Sequence, residues 1–135
     1  MVKNTGGALM QDPFLISQEA LAYLGDSVIE TMVRERLLLL GFEKSNILNE
    51  ESRKYVTAIN QAKAYELIKD SLTSDEASVF RRGKNSTHLN VPKSASIMEY
   101  KIATGLEALF GFLYLKGENE RINQLFKLAY PSLFE

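Results

Sequence analysis

The sequence of 135 residues contains no cysteine and a single histidine, His88. The absence of cysteine excludes disulfide bonds, thiolate zinc sites and a cysteine nucleophile, and one histidine cannot form a histidine cluster around a metal. The apolar runs are short and interrupted by charges or glycine, so we expect no membrane span. The first residues also lack the basic and then apolar order of a secretory signal. We therefore expect a cytoplasmic protein without a membrane partner.

An excess of charge of one sign is also lacking, since the net charge is -1. This balance argues against a protein that coats nucleic acid through bulk charge, so any nucleic-acid surface has to be local. Hydrophobic residues make up 45% of the chain and charged residues 24%, which is enough apolar material for a buried core. We expect a single domain over residues 1–135, with its core at about 15–130.

Apolar residues recur at spacings of three and four, which predicts an all-α fold. Ser17 is a plausible N-cap and Gly41 a plausible C-terminal stop for the first helix. Capping boxes are predicted at residues 73–76 and 96–99, each of which opens a helix. The predicted helices cover residues 17–40, 51–70, 73 to about 83, 96 to about 116, and 119–130.

Two acidic residues, Asp26 and Glu107, stand in segments that are otherwise apolar or small. An ionised carboxylate in such surroundings is costly unless a cation compensates it. The spacing of Gly105, Ala108 and Gly111 predicts that they line one side of a helix, where a close crossing would let both acids face one cleft. Oxygen ligands favour Mg²⁺, with Mn²⁺ as a substitute. The alternative is that both acids are solvated residues on amphipathic helices.

The densest basic cluster consists of Arg81, Arg82, Lys84 and Asn85, followed by Lys93. The planar guanidinium of arginine can donate two hydrogen bonds to one phosphate, and lysine attracts phosphate as a point charge. Asparagine can hydrogen-bond to phosphate or to ribose hydroxyls. These residues are therefore candidates for RNA contacts from a loop. The alternative, which composition alone favours, is a solvated helix end whose cations complement the helix dipole.

Three segments resemble the catalytic domain of ribonuclease III, and more closely that of its reduced relatives, the Mini-ribonuclease III family. They are residues 20–30, residues 81–85 with 91–93, and residues 100–115. The motifs occur in the family's order and cover most of the chain. Each motif alone is modestly specific, but the combination of all three is highly specific.

The resemblance implies an all-helical homodimer that hydrolyses double-stranded RNA and leaves 5′-phosphates. It implies a role in maturing the precursor of the large-subunit (23S) ribosomal RNA, with Mg²⁺ as cofactor. The family's catalytic and metal-binding acids fall on Asp26 and Glu107. The chain ends soon after its last predicted helix, so we expect no double-stranded RNA-binding domain.

The sequence departs from full-length ribonuclease III at two of the usual four acidic positions. Ala22 stands where those enzymes carry a glutamate, and Thr104 stands where they carry an aspartate. The Mini-ribonuclease III family is similar to this sequence in lacking both acids. Whether one or two metal ions bind is therefore left open. Glu19 and Glu30 lie within helical reach of Asp26 and are candidates for assistance through water.

Two other functions remain open at this point. The reduced set of carboxylates is compatible with a non-catalytic ribonuclease III-like module that binds RNA or a ribosomal particle. A helical protein-interaction domain is the third possibility, although it leaves the basic cluster unexplained. The nuclease hypothesis requires that Asp26 and Glu107 meet in the folded chain, and Mg²⁺-dependent nicking of duplex RNA would distinguish it from both alternatives.

Overall fold

The computed structural model describes residues 2–3, 9–86 and 96–135. Its fold is all-helical, as predicted, apart from a two-residue antiparallel pairing of β1 (Val2–Lys3) with β2 (Leu9–Met10). The helices of the described residues are α1 (Gln18–Leu39), α2 (Ser45–Val56), α3 (Ala58–Ile68), α4 (Ser74–Lys84), α5 (Ile97–Leu115) and α6 (Asn119–Ala129). Short 3-10 segments lie at Pro13–Leu15, Lys69–Ser71 and Pro131–Phe134. None of the described helices is both long and apolar enough to cross a membrane.

Local cap chemistry sets the starts of α1, α4 and α5 and the end of α1. The hydroxyl of Ser17 accepts a hydrogen bond from the Ala20 N–H at 3.2 Å at the start of α1. The chain turns after α1 at Gly41, whose φ of 102° favours glycine. Both predicted capping boxes are present, at the starts of α4 and α5. These predictions of the sequence are confirmed.

The prediction of one helix over residues 51–70 is wrong, because the chain forms two helices there. α2 begins earlier, at Ser45, and the backbone of Thr57 is extended between α2 and α3. The Asn60 Nδ2 donates to the Thr57 hydroxyl at 2.8 Å and to the Arg53 carbonyl at 3.4 Å, so side-chain bonds cover the break. Apolar periodicity does not reveal such a break, because Val56, Ile59 and Ala62 keep a spacing of three across it.

Helix α5 is the central element of the core. Ten of its residues are buried, and it packs against α1, α4, α3 and α6. A helix that is apolar almost all round is expected in the middle of a helical protein, because every face meets a neighbour. Phe110, Leu106 and Leu109 are fully buried in this way. Any polar residue on α5 is therefore held in an environment that the surrounding helices define.

Glycines bring α1 and α5 into backbone contact. A Cβ atom at Gly25 would overlap the carbonyl group of Glu107 and would lie 2.9 Å from the backbone nitrogen of Gly111. A Cβ atom at Gly111 would in turn overlap the carbonyl oxygen of Leu21. Because neither glycine has a side chain, the two helices approach more closely at this crossing than other residues would allow.

A second close crossing joins α4 to α5. A Cβ atom at Gly83 would lie 2.8 Å from the Ala108 Cβ and 3.0 Å from the Gly105 Cα. The prediction that Gly105, Ala108 and Gly111 share one side of the helix is therefore wrong, since the first two face α4 and Gly111 faces α1. Each step of three residues falls about 60° short of a full turn, so Gly105 and Gly111 point about 120° apart.

Candidate active site

The crossing of α1 with α5 brings Asp26 and Glu107 together. Asp26 follows Gly25 on α1, and the carbonyl of Glu107 is the group that Gly25 approaches. The two carboxyl groups are in hydrogen-bond contact with each other. The convergence that the nuclease hypothesis requires is therefore present, although the two acids are 81 positions apart in the sequence.

The two carboxyl groups open into a cleft of about 230 Å³ at the protein surface. Asp26 is exposed at this cleft, whereas Glu107 is partly buried. The remaining lining residues are Glu19, Ala22, Tyr23, Tyr100 and Thr104. The cleft is therefore polar at its acidic end and accessible to a large substrate from outside.

A larger cavity of about 410 Å³ lies elsewhere, between α1 and α6. Apolar residues such as Leu24, Val28 and Met32 line it, and Glu35 is its charged residue. It holds neither a pair of carboxylates nor a basic group. The smaller cleft is therefore the better candidate for catalysis, because chemistry depends on the lining groups rather than on volume.

Electrostatics make the acidic pair unusual. Burial, and then the hydrogen bond and negative charge of Asp26, raise the pKa of Glu107 from an ordinary 4.5 to about 9. Two touching carboxylates cannot both ionise cheaply, so the pair needs either a shared proton or a cation. No salt bridge within the described part of the chain involves either acid. The surrounding protein groups therefore leave the negative charge of this pair uncompensated.

The donor set of the cleft fits one hard divalent cation. Within the described residues, no group of three or more histidine, cysteine, aspartate or glutamate side chains is arranged around a metal site. Asp26 and Glu107 thus offer oxygen ligands from two side chains, and Mg²⁺ commonly retains waters and substrate oxygens as its other ligands. An exposed Asp26 leaves room for both. The residues present therefore fit Mg²⁺ better than a cation that demands a closed protein cage.

The other acidic and polar candidates of the sequence have different surroundings. The Thr104 hydroxyl donates to the Tyr100 carbonyl of its own helix at 3.0 Å. Glu30 forms an ion pair with Arg34 at 3.0 Å, and its charge also raises the pKa of Glu107. Glu19 lines the cleft. The proposed assistance by Glu19 and Glu30 through water stays a prediction.

Gln61 was missed at the sequence level. It lies on α3, is only 2% exposed, and faces the Glu107 carboxyl, where it lowers the pKa that burial and Asp26 raise. Its Nε2 is nevertheless buried and has no hydrogen-bond partner among the described residues. The available signal was a polar residue among small and apolar core residues such as Ala62 and Ala64, the same signal that pointed to Asp26.

The basic cluster lies at the end of α4, with residues in different environments. Arg81 and Asn85 are exposed, and Lys84 is partly buried. Arg82 packs its guanidinium 4.2 Å from the ring centre of Phe14, and its Nη1 donates to the Phe14 carbonyl at 3.3 Å. Arg82 therefore has a packing role in addition to its predicted RNA contact. The fifth predicted contact, Lys93, lies outside the described residues.

The basic end of α4 is attached to the helix that carries the site. Gly83, between Arg82 and Lys84, sits where a Cβ atom would lie 3.4 Å from the Thr104 carbonyl. Thr104 lines the acidic cleft. The crossing of α4 with α5 therefore fixes a cationic helix end relative to the acidic pair.

Comparison with known proteins gives consistent results. The Ribonuclease III domain model matches residues 19–118. Proteins named Mini-ribonuclease 3 from Symbiobacterium thermophilum and Brevibacillus brevis are 41% and 37% identical over 89% and 90% of this chain, and the matches cover 92% and 91% of those relatives. A Mini-ribonuclease 3-like protein from Ilyobacter polytropus is 43% identical over 78% of this chain and 82% of its own. A crystal structure of a Fusobacterium nucleatum protein has a TM-score of 0.79 at 33% identity, covering 86% of this chain and 89% of that one.

Proposed function

Because the chain belongs to the ribonuclease III domain family and to its Mini-ribonuclease 3 group, we propose that it is a Mg²⁺-dependent endonuclease of double-stranded RNA. Family membership makes the chain an endoribonuclease with an RNA substrate. The observation that carries the finer proposal is the contact of Asp26 with Glu107 in an open cleft. We further propose that the RNA is the precursor of the large-subunit (23S) ribosomal RNA and that the protein acts in the cytoplasm.

The chemistry is hydrolysis of a phosphodiester bond, leaving a 5′-phosphate and a 3′-hydroxyl. Asp26 and Glu107 would hold Mg²⁺, or Mn²⁺ in its place, which supplies Lewis-acid activation of the phosphate and the attacking water when bound. Asp26 is exposed at the mouth of the cleft, where the RNA backbone would enter. Glu107 is held deeper by the packing of α5. Without the cation, the raised pKa of Glu107 favours a proton on its carboxyl group at neutral pH.

Recognition of the duplex is assigned to the basic cluster. Exposed Arg81 and Asn85 can reach phosphates and ribose hydroxyls, while Lys84, Arg82 and Lys93 add positive charge nearby. An A-form duplex presents a wide, shallow minor groove, so such contacts read shape rather than sequence. Since the net charge is -1, binding depends on this local cluster and should weaken steeply with salt.

A homodimer completes the proposal. A duplex has two antiparallel strands, and a twofold pair of identical chains presents two acidic clefts in matching antiparallel orientation. Each subunit would then cut one strand. Sedimentation of the purified protein tests this part of the proposal, and a protein that cleaves both strands while remaining a monomer would contradict it.

The test of the proposed function is a cleavage assay with matched substrates. Purified protein is incubated with duplex RNA, each single strand, and duplex DNA of the same sequence, with Mg²⁺, with Mn²⁺ or with EDTA. We expect cleavage of duplex RNA only, with 5′-phosphate ends, and none in EDTA. Equal cleavage of the single strands, or cleavage that persists in EDTA, would contradict the proposal.

One observation supports a second candidate function. Ala22 and Thr104 leave the cleft with fewer acids than the full-length enzymes carry, and no group of three acidic or histidine ligands exists in the described part of the chain. A non-catalytic module that binds structured RNA or a ribosomal particle would need no more. Tight duplex binding without cleavage in either Mg²⁺ or Mn²⁺ would favour this candidate over the nuclease.

A further inference from the structure

Gln61 occupies a position that the two-carboxylate site does not by itself explain. From its burial and its place against Glu107, we infer that Gln61 is a positioning residue: its side-chain amide donates to one Glu107 oxygen and holds the other toward the cation shared with Asp26. This inference rests on the proposed function and adds to it a residue from a third helix, α3. Residues of α1, α3 and α5 would then form the metal site together.

The burial of Gln61 requires a polar partner. The residue is 2% exposed, and its Nε2 has no hydrogen-bond partner in the part of the chain that the structure describes. Buried side-chain amides are nearly always paired in folded proteins, because losing water without gaining a partner is unfavourable. The group that Gln61 faces is the Glu107 carboxyl. An ionised Glu107 would give this amide the acceptor that it lacks.

Two hydroxyl groups near the site already have acceptors. The Thr104 hydroxyl donates to the Tyr100 carbonyl at 3.0 Å, and the Tyr130 hydroxyl donates to the Tyr55 carbonyl at 3.0 Å. Tyr130 lies close enough for the charge of Glu107 to contribute to its raised pKa, after the larger effect of burial. Unlike these two hydroxyl groups, the Gln61 Nε2 remains available as a donor to Glu107.

A neutral donor suits a carboxylate that must also bind a cation. Lysine or arginine at position 61 would neutralise Glu107 and compete with the metal for it, as a partner does in a salt bridge. An amide satisfies one oxygen without cancelling the charge. Hydrogen bonds of this kind orient metal-binding carboxylates, and their loss typically lowers metal affinity or activity by about 10-fold to 100-fold.

The experiment compares Gln61→Met with a matched control, Gln18→Met. Methionine keeps the length of glutamine and removes the amide. Gln18 also has a buried oxygen without a partner in the described residues, but it does not line the acidic cleft. Mg²⁺ is titrated into each RNA-free protein while binding heat and the thermal midpoint are followed, and single-turnover cleavage of duplex RNA is measured over the same Mg²⁺ range.

We expect Gln61→Met to raise the Mg²⁺ concentration for half-saturation by about 10-fold or more, in both the binding and the cleavage measurements. Cleavage should recover at least in part at high Mg²⁺, and Gln18→Met should match the wild type. A lower thermal midpoint with unchanged Mg²⁺ half-saturation would show a merely structural role and would overturn the inference. A wild type that neither binds Mg²⁺ nor cleaves RNA would overturn the proposed function, and the inference with it.

A measurement on the wild type covers the case in which Gln61→Met does not fold. In ¹⁵N-labelled protein, the side-chain amide resonances of Gln61 should shift on Mg²⁺ addition. The same addition to Asp26→Asn should leave them in place at that Mg²⁺ concentration. Gln61 resonances that stay fixed while the wild type binds Mg²⁺ would overturn the inference and leave the proposed function intact.

Discussion

Two glutamates of this protein, the buried Glu76 and the partly buried Glu107, have opposite surroundings. Glu76 accepts hydrogen bonds from the Arg121 Nε and Nη2, both at 2.8 Å, and from the Thr73 N–H at 2.9 Å. Burial alone would raise the pKa of Glu76, but the bonds from Arg121 and Thr73 outweigh it and lower that pKa. Glu107 instead faces Asp26, and its pKa is raised to about 9.

The difference separates an acid that supports the fold from an acid that is available for chemistry. Arg121 also donates to the Ser71 carbonyl at 2.6 Å, so the Glu76 pair ties α6 to the start of α4. The chain thus supplies a cation where the carboxylate is structural. At Glu107 it supplies a second carboxylate and an open cleft, an arrangement that is stable only with a proton or an external cation.

The largest effect is expected from Asp26→Asn. Cleavage of duplex RNA should fall by at least about 1000-fold, because losing several kcal/mol of metal-assisted stabilisation costs about that factor. The fold should survive, since Asp26 is exposed and the change removes repulsion from Glu107. Glu35→Gln, at an exposed acid on the same helix, is the matched control and should cleave normally. Single-turnover rates with thermal midpoints check this, and cleavage within 10-fold of wild type would remove Asp26 from the mechanism.

The second prediction contrasts the two glutamates in stability. Glu76→Ala should destabilise the protein by about 2–3 kcal/mol, because it leaves the partly buried Arg121 without its carboxylate. Glu107→Gln should leave the metal-free stability unchanged or higher, because an amide stays neutral beside Asp26 without having to bind a proton. Urea unfolding in EDTA measures both. Equal losses of stability in the two variants would contradict the distinction between a structural and a chemical carboxylate.

The third prediction concerns pH. The raised pKa of Glu107 contributes stability to the metal-free protein below its ordinary pKa of 4.5, and this contribution is lost as the pH rises toward about 9. The lowered pKa of Glu76 acts in the other direction, with stability present above 4.5 and lost as the pH falls through its folded-state pKa. Thermal midpoints in EDTA should therefore fall between about pH 5 and about pH 9.

Glu107→Gln and Mg²⁺ provide the controls for this pH dependence. The variant should flatten the decline above about pH 5, and Mg²⁺ should raise the midpoint of the wild type more at high pH, where the cation competes with fewer protons. An alkaline decline that is identical in wild type and Glu107→Gln would assign it to other groups.

The smallest effect is expected at the basic end of α4. Arg81→Ala should weaken duplex RNA binding by about 10-fold or less and reduce the slope of log affinity against log salt by about 1, as expected for one lost phosphate contact. Single-turnover cleavage at saturating protein should be retained. Lys63→Ala, at an exposed cation on α3, is the control. Arg81 is a cleaner test than Arg82, because Arg82 also packs on Phe14. An unchanged affinity at physiological salt would refute this contact.

The contrast between the glutamates also shows where sequence reasoning succeeds. Asp26 and Glu107 were recognisable because an acid among apolar and small residues is unusual wherever the chain places it. Glu76 gave another local signal, the capping box with Thr73, and the structure contains that box. Its partner Arg121 was not recognisable, because 45 positions separate them and no local pattern encodes the pair.

The sequence by itself determined the helical class, both capping boxes and the two acids, since each depends on neighbours within one or two helical turns. Tertiary packing decided the rest. Packing between helices decided where the chain breaks at Thr57 and which crossing each of Gly105 and Gly111 belongs to. It also decided that Arg82 contacts Phe14 and that Gln61 faces Glu107. The physical reason is that spacing along a helix fixes which side chains share a face, but only the assembled neighbours fix what that face meets.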